Sequence, residues 1–71
     1  SLARPGYARA MYVYEAIARR DGNFWFIQIP ELDLVTQART VDEIDDMARG
    51  VIAISLDVPP GSFGIQVGIE R

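Results

Sequence analysis

Asp21-Gly22 stands between two apolar-rich runs, and this pair limits the fold of the chain more tightly than any other. Asp-Gly between alternating stretches is the strongest short signal for a β-hairpin, because a type I′ turn needs positive φ at both central positions. Before it, Tyr12 to Arg19 alternates and is rich in aromatic and β-branched residues, the pattern of a strand. After it, Phe24 to Ile29 (FWFIQI) reads as the return strand. A two-residue loop predicts Ala18 opposite Trp25, Ala16 opposite Ile27 and Tyr14 opposite Ile29, setting small alanines against large side chains. Because successive side chains alternate, Tyr12, Tyr14, Ala16, Ala18, Trp25, Ile27 and Ile29 then share one face. Val13, Glu15, Ile17, Arg19, Phe24, Phe26 and Gln28 take the other.

Pro30 lacks the N–H that a sheet ladder requires, so it ends the second strand. Glu31-Leu32-Asp33 is a short connector of the kind that joins neighbouring antiparallel strands, which predicts a third strand over Leu34 to Ala38. Thr40 followed three residues later by Glu43 has the form of a capping box, each side chain bonding the other's backbone N–H. Asp42 and Glu43 also favour the positive end of a helix. The helix is expected from Val41 to about Leu56. Its buried stripe is Val41, Ile44, Met47, Ala48, Val51, Ile52 and Ser55, with Asp42, Asp45, Asp46 and Arg49 toward water. Gly50 costs about 1 kcal/mol relative to alanine inside a helix, which points to close packing there. The prolines of DVPPGS stop the helix, and Phe63 to Ile69 then alternates cleanly as a last strand.

The order is β-β-β-α-β, an α+β fold. A right-handed crossover through the helix places the last strand parallel to the first and beside it, giving a four-stranded sheet of order 3-2-1-4. One helix covers one face of such a sheet. The face carrying Val13, Ile17, Phe24 and Phe26 is left open, so these residues are the expected interface of a homo-oligomer or another protein partner.

Composition narrows the chemistry. The 71 residues contain no cysteine and no histidine, which removes thiolate metal sites, disulfides and the commonest general base. No metal or cofactor is expected. A domain this small buries only about 60% of its unfolded surface, which favours stabilisation by a second chain. The basic residues number seven, all arginine, and the net charge is −3. Direct nucleic-acid binding by this chain is therefore not expected, since phosphate contacts need a basic face. No apolar run approaches a membrane span of about 20 residues and no signal peptide is seen, so the expected location is the cytoplasm. Residues 1–10, with Pro5, Gly6 and little periodicity, read as a flexible leader to a single domain over 11–71.

Taken together, DGNFWFIQIPEL, then VTQART with VDEI, then MARGVIAISLDVPP, resemble the HicB-like antitoxins across most of Met11 to Ile69. The tail LDVPPGSF is closest to the solo members of that family. The resemblance implies a truncated ribonuclease-H-like β-β-β-α-β fold and self-association. It also implies a partner, a small basic HicA-type toxin that cleaves messenger RNA and is covered by the antitoxin. Family members usually carry a DNA-binding segment after the core. The chain given ends at Arg71 without room for one, so that property is not carried over. It also departs from the family in its tight, glycine-free connector Glu31-Leu32-Asp33-Leu34.

Glu31 and Gln37 are the candidate partner contacts, as polar groups on or near a short rigid connector, with Thr36 beside them. For Thr36 and Pro30, strand geometry alone accounts for the residue. Phe24 and Phe26 are candidate aromatic anchors. Asp42, Asp45 and Asp46 read as a solvated helix face, and Arg9, Arg19, Arg20 and Arg39 are too scattered for a phosphate-binding patch. Ribonuclease-H chemistry needs several carboxylates converging on two metal ions. Glu15 has no second strand carboxylate facing it, so no catalysis is expected. Two readings from different classes follow: an inhibitory antitoxin-like module, or a freestanding structural or regulatory oligomer without a toxin.

Overall fold

The computed structural model describes residues 11–71, and the leader expected over residues 1–10 lies outside the described residues. The hairpin forms from β1 (Val13–Asp21) and β2 (Phe24–Ile29), paired antiparallel. Its register differs from the expected one by two residues. Trp25 pairs with Arg20, and Ala18 with Ile27. The cause is local: Asp21 stays in the ladder opposite Phe24, so the loop is Gly22-Asn23. Gly22 has φ +66°, while Asn23 is absent from the positive-φ residues, the pattern of a II′ rather than a I′ turn. A slip of two preserves every face, because the side-chain period is two. Ala16, Ala18, Ile27 and Ile29 are accordingly all buried on one face, as the alternation requires.

Pro30–Leu32 winds into a single 3-10 turn, closed by the Asp33 N–H donating to the Pro30 carbonyl at 3.2 Å. Asp33 takes up a left-handed conformation, φ 55°, that aspartate tolerates better than most residues. This reversal lays β3 (Leu34–Ala38) antiparallel beside β2, with Ile29 opposite Leu34 and Trp25 opposite Ala38.

The helix begins later than expected. Val41–Glu43 is a 3-10 turn, and α1 spans Ile44–Leu56. Thr40 makes no side-chain cap, so the reciprocal capping box does not form. Its acidic half survives one residue back, where the Glu43 carboxylate accepts the Arg39 N–H at 3.1 Å. Because 3-10 turns advance each residue further around the axis than α turns, Val41 falls outside the buried stripe and is exposed. The stripe that packs on the sheet is Ile44, Ala48 and Ile52 with Ala53. Val51 is half-buried, whereas Met47 and Ser55 point away from the core. Gly50 has no neighbour within 4 Å of where a Cβ would stand, so close packing inside the chain is not its reason.

Asp57, left-handed at φ 58°, caps α1, and the Val58 N–H reaches back to the Ala53 carbonyl at 3.1 Å. The chain then turns at Pro59 and Pro60 and enters β4 (Gly64–Glu70), parallel to β1 with Ala16 opposite Val67. The sheet order is β3-β2-β1-β4, so the crossover joins the two outermost strands. Alanines at 16, 18, 38 and 48 let the helix approach the sheet closely, and Ile27, Ile29, Ile44 and Ile52 fill the space between. Each buried isoleucine contributes about 1.5–3 kcal/mol by leaving water.

Ser62 Oγ donates to the Pro59 carbonyl at 2.7 Å within the turn before β4, and Arg49 ties that turn to α1. Arg49 donates from Nη1 to the carbonyls of Pro60 (2.7 Å) and Phe63 (2.9 Å), and from Nε to Asp45 (3.3 Å). Its guanidinium lies 5.3 Å from the centroid of the buried Phe63 ring, which stands edge-on to Tyr14. The expectation that Arg49 points only to water is thereby corrected.

Candidate interaction surfaces

The sheet face away from α1 carries two rows of side chains that cross all four strands. One runs Val35, Gln28, Ile17, Gly68 and the other Gln37, Phe26, Arg19, Glu70. Val13 (52% exposed) and Phe24 (43%) flank them, while Ile17 and Phe26 are half-buried. The Arg19 guanidinium sits 5.0 Å from the Phe26 centroid. The four residues expected at an interface thus share one surface, interleaved with Glu15, Arg19, Gln28 and Gln37. This face is mixed rather than greasy. Aromatic anchors beside arginine, with few acids at the centre, match the composition of protein-recognition patches.

The expected partner contacts do not converge. Gln37 lies on this face directly opposite Phe26 and extends the aromatic patch to the sheet edge. Thr36, one residue away, points to the helix side, where it is half-buried opposite Ile27. Glu31 is exposed on the 3-10 turn beyond the other end of β3. Gln37 therefore groups with Phe24 and Phe26 rather than with Glu31 and Thr36.

A second surface escaped the periodicity argument. Met47 and Ile54 are 41% and 84% exposed, and with half-buried Val51 they line the flank of α1 nearer β3. Met47 shares a hollow there with Phe24, Gln37 and Ala38. The signal was legible, since residues 47, 51 and 54 form a stripe of their own beside the 44, 48, 52 stripe. Merging the two into one broad buried face concealed it.

At the hairpin end of the helix-side face, Trp25 is half-buried and Ile69 is 47% exposed. They line a shallow hollow with Arg20 and Arg71, and the Arg20 guanidinium lies 5.4 Å from the indole centroid. Among the described residues no three of histidine, cysteine, aspartate and glutamate gather where a metal ion would be held, and no helix is long and apolar enough to cross a membrane. No protein-family model, curated protein or solved structure matches the chain.

Proposed function

We propose that this chain is a non-catalytic, antitoxin-like binding module that neutralises a small basic, messenger-RNA-cleaving toxin of the HicA type in the cytoplasm by protein–protein contact. One observation carries the reading. The β3-β2-β1-β4 sheet has a single helix on one face, the architecture that the HicB-like resemblance implies, and its other face presents Phe24, Phe26, Ile17 and Val13 to solvent. The net charge of −3 suits a basic partner, since charge complementarity speeds encounter. Phe24, Phe26 and Gln37 are the contacts this reading assigns to the toxin.

The test is co-expression with a HicA-type toxin. The wild-type chain restores growth and co-purifies with the toxin, whereas Phe24→Ser combined with Gln37→Ala lowers affinity at least ten-fold while keeping the far-UV spectrum. Growth arrest that the wild-type chain does not relieve, with no complex recovered from the purified proteins, defeats the proposal and leaves the freestanding oligomer as the better account.

A further inference from the structure

We infer that the free edge of β3 and the exposed flank of α1 form the two-fold interface of a homodimer, in which β3 pairs antiparallel with β3 of a second copy. Among the described residues β3 has β2 as its sheet neighbour on one side, and its other edge is open. Leu34-Val35-Thr36-Gln37-Ala38 carries no charge and no proline, so it lacks the usual devices that keep an edge strand from pairing.

The sequence is self-complementary about Thr36. A two-fold axis there sets Leu34 against Ala38 and Val35 against Gln37 of the other copy. Just beyond the two ends of the strand lie Asp33 and Arg39, opposite charges that the two-fold axis brings near each other and that make no ion pair elsewhere among the described residues. No like charges meet.

The helix repeats this symmetry. Met47, Val51 and Ile54 have the four-then-three spacing of a coiled-coil seam. In an antiparallel approach Met47 meets Ile54 of the other copy, and the midpoint falls between Gly50 and Val51. Gly50, unexplained within one chain, then stands where two helices come closest.

Both midpoints fall at one level. Met47 shares its hollow with Gln37 and Ala38. From Met47 to the midpoint of the seam is about 5 Å at 1.5 Å per helical residue. From the Gln37–Ala38 boundary back to Thr36 is also about 5 Å at 3.4 Å per strand residue. Since α1 runs back along β3 on its way to β4, one axis serves strand and helix together. The β4 edge has no such flank, because α1 turns Arg49 toward that side. This dimer buries an isoleucine otherwise 84% exposed and leaves Val13, Ile17 and Phe26 of the outer face uncovered.

Sedimentation equilibrium across a dilution series tests it, with circular dichroism as the check on folding. The wild-type chain gives twice the 7.9 kDa chain mass, and Ile54→Asp gives the single-chain mass with an unchanged spectrum. Val13→Ser, on the outer face of β1, stays dimeric. Thr36→Cys, on the axis in a chain without cysteine, cross-links on mild oxidation, because directly opposed antiparallel residues lie about 4.5–5.5 Å apart, within disulfide reach. Gln66→Cys on β4 does not. A single-chain mass for wild type throughout the series, a dimeric Ile54→Asp, a monomeric Val13→Ser, or equal cross-linking at Gln66 and Thr36 overturns the inference.

Discussion

Arg49→Met removes the one side chain that ties the end of α1's flank to the start of β4 while keeping an apolar stem of similar length. The substitution deletes two hydrogen bonds from a charged donor. The bond to the Phe63 carbonyl is part-buried, and its loss leaves an acceptor with restricted access to water, costing about 1–2 kcal/mol. The Pro60 carbonyl is exposed, and water replaces most of that bond. The pair with Asp45 is an i,i+4 surface contact contributing about 0.3–0.5 kcal/mol. A methionine sulfur–aromatic contact offsets part of the lost cation–π contact with Phe63. The total loss is roughly 1.5–2.5 kcal/mol, which in a domain of this size lowers Tm by roughly 6–20 °C. Thermal and urea unfolding at one fixed protein concentration, followed by circular dichroism, measure it. Asp45→Ala serves as the internal control and costs only about 0.5 kcal/mol. An Arg49→Met stability within about 0.5 kcal/mol of wild type, or an Asp45→Ala loss equal to it, refutes the clamp and reduces Arg49 to a surface ion pair.

Two further outcomes follow from the core and the turn. Ile52→Ala empties a fully buried site against the sheet and costs about 3–4 kcal/mol, against a total stability of about 4–10 kcal/mol for a chain of this length, so a large unfolded fraction appears in urea titrations begun at 25 °C. Gly22→Val places a β-branched side chain at φ +66° and costs about 1–2 kcal/mol with no loss of buried contact, read as a shifted urea midpoint at constant m-value.

The hairpin, the 3-2-1-4 order and the two faces of the sheet were legible because each depends on a period of two or on a residue with few conformational choices. Gly22 and Pro30 are such residues, and so are Pro59 and Pro60. The register was misread because Asp21-Gly22 fits a loop as well as Gly22-Asn23 does. The register separates them, with Asp21 kept in the ladder opposite Phe24. The helix boundary was misread for a related reason. Thr40 and Glu43 carry a capping signature, yet Glu43 satisfies the Arg39 N–H and the first turn tightens. That rotation carries Val41 out of the core, a tertiary outcome that local spacing does not encode. Of the proposed contacts, Gln37 and the phenylalanines fell on one surface by strand parity. Thr36 went to the opposite face by the same rule, as its neighbour in sequence must.

The crossover between the two outermost strands assigns α1 three separate faces. Ile44, Ala48 and Ile52 seal the core, Asp45 and Arg49 hold the turn before β4, and Met47, Val51 and Ile54 overhang the β3 side. Residues close in sequence therefore fail in different ways. Changing Ile52 subtracts apolar burial and unfolds the chain. Changing Arg49 subtracts polar anchoring, loosening β4 without opening a cavity. Changing Ile54 subtracts nothing from the single chain, because 84% of its surface already lies in water. In the single chain Val51 packs partly against the core, but burial does not require Met47 and Ile54 to be apolar. The proposed dimer accounts for their placement beside an uncharged strand edge.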